Sequence, residues 1–187
     1  EMYSYFEAYF DHLDPAPDYR VFMRLLDTPP YGGGTALANS FMLSRGPLGE
    51  DEVYGDSPRS TFVHELLHQW SGSLSGGAID TNWFSEGLTT YFEYTLPFRS
   101  GHISLEEYVD GLNELSHKYY TGKARGWPIS DIKKVGFGDD EVRHVPYQRG
   151  ALYFADLDSR LRKASGGQYG LHHFLSLEQS GFRRTRG

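Results

Sequence analysis

Apolar and polar positions change their period along the chain, and each change marks an element. Residues 2–13 (MYSYFEAYFDHL) set Tyr5, Phe6, Tyr9 and Phe10 at helical spacing, and Pro15 and Pro17 close that segment. Residues 19–26 (YRVFMRLL) read as a buried strand, and residues 35–43 (TALANSFML) as a second strand suited to a sheet edge. The TPPYGGG stretch between them is turn or loop, and residues 44–56 form a Gly- and acid-rich loop. Ser57-Pro58 is a helix start, a capping serine before a first-turn proline, and that helix runs to about Ser71, where Gly72 stops it. Residues 72–81 are a small-residue loop. Asn82 can cap the next helix, about 83–96, and Pro97 disfavours its continuation.

Further along, Ser104 and Glu107 have the spacing of a capping box, followed by a helix with Leu105, Tyr108, Val109, Leu112 and Leu115 on one face. Residues 122–144 read as irregular. A long helix spans about Pro146 to Ala164, Gly166-Gly167 breaks it, and a short helix near 170–179 follows. Strands come first and helices later, which predicts an α+β fold.

Composition narrows the class. The 187 residues suit one domain, and 39% hydrophobic content supports a packed core rather than disorder. Aromatics reach 16%, so core and cleft walls should be rich in rings. A net charge of −7 disfavours nucleic acid, whose phosphates need a basic face. The absence of cysteine removes disulfides and thiolate metal sites. No apolar run has the length of a membrane span, and no signal peptide is present. The chain opens at Glu1 directly into a helix, which suggests a piece of a longer protein with flanking domains. Nothing in the sequence selects between bacterial cytoplasm and periplasm.

The candidate chemistry lies at residues 64–68, His-Glu-Leu-Leu-His. On a helix, i and i+4 share one face, so the two imidazoles can reach one ion at about 2.0–2.1 Å each. Glu65 sits beside the first imidazole, placed to reach a water on the metal and to take its proton. His-x-x-x-His alone is weak evidence; the inserted Glu and the apolar neighbours Phe62, Val63, Leu66 and Leu67 strengthen it. Catalytic zinc sites keep three protein ligands and one open position. Glu86, with seventeen residues between it and His68, is the candidate third ligand. Glu93, two turns later, is either a partner for the outer N–H of a ligand imidazole or a solvated helix carboxylate.

HELLHQWSGSL followed by NWFSEGLTTYFEY resembles the gluzincin zinc aminopeptidases, with Ser85-Glu86-Gly87 in place of their Asn-Glu-Gly-like triplet and a gap one residue shorter. WFSEGLTTYFEY, SLEEYVDGL and VPYQRGALYFADLDSRLR are most similar to the glycyl aminopeptidase family of that clan, often PDZ-containing. The resemblance implies a thermolysin-like gluzincin catalytic domain over residues 1–187, with zinc as cofactor and peptide as substrate. It implies that the Tyr147 hydroxyl donates to the developing oxyanion; the alternative is a tyrosine packing at a helix start. It also points to Gly33, Gly34 and Thr35 as substrate-binding backbone by strand addition, against three glycines in a loop. In the aminopeptidases this stretch carries a glutamate for the substrate's free amine. Here no acid follows before Glu50, which leaves an endopeptidase open. A rival from another class is a non-catalytic peptide-binding module with a structural zinc. Trp70, Trp83 and Phe84 read as core packing around the metal helices, and His172-His173, facing apart on a helix, make a poor chelate.

Overall fold

The computed structural model describes residues 1–10, 18–29, 32–37, 39–46, 58–71, 74–75, 78–173 and 175. The chain divides into two compact units, one of residues Leu13–Gly72 and one of Glu1–His12 with Ser73–Gly187.

The Leu13–Gly72 unit holds β1 (Arg20–Leu25), β2 (Gly34–Leu37), β3 (Ser40–Arg45) and α2 (Pro58–Ser71). The strands form a sheet of order β1-β3-β2, with β1 parallel and β2 antiparallel to β3. The single strand expected over 35–43 is therefore a hairpin. Leu37 pairs with Ser40, and Asn39 turns the chain at φ 53°, a left-handed conformation that asparagine tolerates well. β3 is the central strand and points Phe41 and Leu43 into the core. Helix α2 packs on β2 and β3. Its Val63, Leu66, Leu67 and Trp70, at i, i+3, i+4 and i+7, are buried, and Phe62 sets its ring edge-on to Phe41 at 4.9 Å. The expected burial of the first strand is corrected. All six residues of β1 are exposed: it is one of the two edge strands, and α2 lies on β2 and β3 instead. Ser57 and Gly72, the expected cap and stop of α2, lie outside the described residues, as do 47–56.

The second unit is helical: α1 (Met2–Tyr9), α3 (Ala78–Arg99), α4 (Leu105–Thr121), α5 (Ile129–Val135), α6 (Asp140–Arg143) and α7 (Val145–Ala164). Its centre is the packing of α3 on α7. Leu88, Phe92 and Leu96 of α3 are buried, with Ala151 and Phe154 of α7. Phe6 and Phe10 of the first segment are buried too, Phe10 edge-on to Phe92 at 5.1 Å. Residues 11–17, the expected end of that helix, lie outside the described residues.

Three sequence expectations change in this unit. Helix α3 begins at Ala78, before Asn82, and runs through Pro97 to Arg99. A proline in the last turn removes one backbone bond without ending the helix. Termination falls to Gly101 at φ 76°, where Gly101 N–H donates to Phe98 O at 3.1 Å and His102 N–H to Pro97 O at 2.8 Å. Residues 122–144, expected to be irregular, contain α5, a 3-10 turn at Gly136–Gly138, and α6. They close a small cluster of Ala124, Ile132, Val142 and Val145. In α4, Leu115 is buried but Leu105 and Val109 of the expected stripe are exposed, so only part of that face is covered. The capping box forms as read: Glu107 N–H donates to Ser104 Oγ at 3.1 Å and Ser104 N–H to Glu107 Oε2 at 2.7 Å. Residues 171–173 are helical; 176–187 lie outside the described residues.

Candidate metal centre

Helix α2 presents His64, Glu65 and His68 beside its buried stripe. The imidazoles stand one helical turn apart with ring centroids 5.0 Å from each other and planes at 80°, each half-buried. Glu65 is only 7% exposed. On α3, Glu86 is likewise half-buried. His64, His68 and Glu86 each offer one ligand atom, and these atoms all lie within 4.8 Å of one another. Tetrahedral ligands about 2.0–2.2 Å from a zinc ion stand roughly 3.3–3.6 Å apart, so the set can converge on one ion by small side-chain shifts. Two imidazoles and a carboxylate also match that ion's chemical preference.

The glycines and Thr35 lie on the hairpin of the Leu13–Gly72 unit. Gly33, at φ 80°, leads into β2, and its carbonyl accepts from Ser44 N–H at 3.0 Å. Gly34 and Thr35 pair with Leu43 and Met42 of β3. Because Gly33 points its carbonyl toward β3, the alternation of an antiparallel ladder turns the peptide groups of Gly34 and Ala36 to the other edge of β2. Gly34 has a second role that the sequence did not disclose. A Cβ there would lie 2.6 Å from Glu65 Cδ and 2.6 Å from Glu65 Oε1, so the bare Cα is what admits that side chain. The sequence signal was the glycine run itself, with nothing to say which glycine faced α2.

Tyr147 is half-buried in the first turn of α7, its ring 5.4 Å from that of His144. His144 Nδ1 in turn donates to Asp140 O at 2.7 Å, which fixes the ring just before the helix. Glu93 lies half-buried on α3, two turns beyond Glu86.

The reading of Trp83 as core packing is corrected in part. Trp70 is fully buried, whereas Trp83 is 37% exposed. It stacks on Phe154 at 6.1 Å and lines a cavity of about 320 Å³ with Ile129, Pro146, Arg149, Gly150 and Tyr153. The i, i+3, i+4, i+7 spacing of those four α7 residues was legible beforehand; their hollow was not.

Residues 76–136 match the M61 glycyl aminopeptidase family. That segment contains Glu86 and Glu93, begins after His68 and ends before Tyr147. Leucine aminopeptidase 2 of Aspergillus oryzae is 27% identical over 136 residues, covering 66% of this chain and 21% of that protein. The chain is thus similar to aminopeptidases over about two thirds of its length. Leucine aminopeptidase 2 of Aspergillus fumigatus is 28% identical over 135 residues, again with 66% of this chain and 21% of the relative covered. The chain therefore spans about a fifth of the curated relatives it matches. An aminopeptidase N family protein from Idiomarina loihiensis shares the fold, with a TM-score of 0.73 at 20% identity over 97% of this chain and 35% of that one. The expected α+β class is borne out, a small mixed three-stranded sheet with helices as in that protein. Among the described residues no helix is long and apolar enough to cross a membrane.

Proposed function

We propose that this chain is the catalytic core of a zinc-dependent peptidase, most akin to an aminopeptidase, in a longer protein with flanking domains. The convergence of His64, His68 and Glu86 carries the reading. A zinc ion held there would supply Lewis acidity, making a water acidic enough to attack at neutral pH and polarising the scissile carbonyl. Glu65 follows His64 on α2 and is nearly buried, where a carboxylate can take the water's proton and later hand it to the leaving amine. Tyr147 supplies a neutral hydroxyl donor for the negative charge that develops on the substrate oxygen. Glu93 orients a ligand imidazole through its outer N–H. The Gly33, Gly34 and Thr35 segment holds an extended peptide by strand addition along the outer edge of β2, where Gly34 turns its peptide groups.

The decisive test compares peptidase activity of the wild type and Glu65→Gln at equal zinc content. The variant should lose activity by about 10²–10⁴-fold. Equal activity would end the catalytic assignment and favour a peptide-binding module with a structural ion.

One observation favours an endopeptidase as the second reading. No Asp or Glu occurs between Asp27 and Glu50, so the β2 segment brings no carboxylate of its own for a free α-amine. Comparing a free-amine peptide with its N-acetylated twin separates the two. An aminopeptidase cleaves only the former, whereas equal rates identify an endopeptidase.

A further inference from the structure

Helices α3 and α7 meet backbone to backbone at one point. A Cβ on Gly87 would lie 2.5 Å from Gly150 Cα and 2.8 Å from Gly150 C; a Cβ on Gly150 would lie 2.7 Å from Gly87 Cα and press on the Trp83 carbonyl. Both glycines are buried within regular helix, and neither has a left-handed backbone, so conformation does not call for glycine at either position. A helix-interior glycine costs about 1 kcal/mol relative to alanine. Two facing ones are explained only by the close approach. Elsewhere the same pair of helices is spaced by large side chains, with Trp83 and Phe84 against Phe154 at 6.1 and 5.6 Å between ring centroids, and the Tyr91 hydroxyl donating to Asp158. The tight contact is thus confined to one turn of each helix. Glu86 directly precedes Gly87, and Tyr147 lies one turn before Gly150.

We infer that the Gly87–Gly150 contact is a positioning device, which sets the Glu86 carboxylate against the Tyr147 hydroxyl by locking the two helices at the turns that carry them. The inference rests on the proposed roles of Glu86 as metal ligand and Tyr147 as oxyanion donor. No flexible side chain stands at the contact to yield, so a methyl group must push one backbone away from the other. Ligand distances tolerate only about 0.2 Å, and a misplacement of about 1 Å can cost roughly 100-fold in rate. Gly87 and Gly150 act through their neighbours and need not touch substrate.

The test uses the 187-residue chain. Zinc affinity, by competition with a chromophoric chelator, and kcat and KM on a peptide are measured for Gly87→Ala, Gly150→Ala and Phe154→Leu. The last variant loosens the same helix pair without adding bulk at the crossing. At matched losses of melting temperature, the alanine variants should bind zinc about 10-fold or more weakly. They should also lose kcat more than KM changes, while Phe154→Leu keeps the wild-type zinc affinity. Equal zinc affinities and equal kcat at matched stability would reduce the contact to packing and overturn the inference. Should the alanine variants fail to fold, amide exchange of the wild type decides. Zinc should slow exchange in residues 147–151 as well as around Glu86, and unchanged α7 protection overturns the coupling. Glu86→Gln serves as the control for the underlying reading: wild-type zinc affinity in that variant would remove Glu86 as a ligand, and the inference with it.

Discussion

Gly34 and Glu65, thirty-one positions apart in sequence, occupy neighbouring space: the missing side chain of the first is filled by the carboxylate arm of the second. The strand edge proposed to hold peptide and the carboxylate proposed to move its proton are thereby held in contact within one compact unit. A substitution at Gly34 should consequently act on chemistry more than on metal binding. In Gly34→Ala the methyl group displaces Glu65, and kcat should fall by about 100-fold. Zinc content should stay at the wild-type level, since neither imidazole is displaced by that methyl. Steady-state kinetics with metal analysis checks this; wild-type kcat would show that Glu65 has room to move and still work.

Asp158 of α7 is a second focus, remote in kind from the metal. It is buried, and its carboxylate accepts from Tyr91 Oη at 2.7 Å, Arg162 Nε at 2.7 Å and Leu171 N at 2.6 Å. Its pKa is lowered: burial opposes the charge, but the bonds from Arg162, Leu171 and Tyr91 together outweigh it. Asp158→Ala leaves three donors without their acceptor and should destabilise the fold by about 3–5 kcal/mol. Chemical denaturation measures this, and a loss below about 1 kcal/mol would show that water or a neighbouring acceptor replaces the carboxylate.

His172 adds an acid sensitivity. Burial holds its imidazole down at about 4, with smaller contributions from His173, Arg162 and Arg99, and its ring lies 4.5 Å from that of Tyr9. A histidine whose folded pKa lies below its unfolded value takes up a proton more readily when unfolded. Its contribution to stability is complete above about 6.5 and is lost as the pH falls toward about 4. Asp158, also depressed, adds a loss in the same direction below the usual carboxylate range. Melting temperature should therefore drop from pH 7 to pH 5, and His172→Phe, which keeps an aromatic ring beside Tyr9, should shrink that drop. An identical pH profile in the variant would place the acid sensitivity elsewhere.

The capping box of α4 gives a small, clean effect. Ser104→Ala removes the acceptor for Glu107 N–H at an exposed helix start and should cost about 1 kcal/mol. The change should appear in equilibrium unfolding and leave peptidase kinetics untouched.

How far the sequence reached depended on the range of each signal. The capping box and the start of α7 near Pro146 are local, and each was legible. The exposure of β1 was not: its apolar content matches a buried strand, and only its place in the sheet beyond the strands that α2 covers leaves it open. The 35–43 segment looked continuous because Ala-Asn carries no glycine or proline to announce a turn. The short helices of 122–144 were hidden because their stability comes from packing around Ile132 and Val142 rather than from propensity.

By itself, the sequence determined the chemistry available: two histidines one helical turn apart with a glutamate between them, a second glutamate at the distance of a loop and a helical return, and a chain without cysteine. These are consequences of residue type and short spacing, which the helix repeat converts directly into a shared face. The tertiary structure alone decided that Gly34 makes room for Glu65, that Gly87 meets Gly150, and that Asp158 accepts from Tyr91 of α3. Each of those joins residues far apart along the chain, and most are set by how closely packed elements can approach, a quantity that no local pattern of apolar and polar residues encodes.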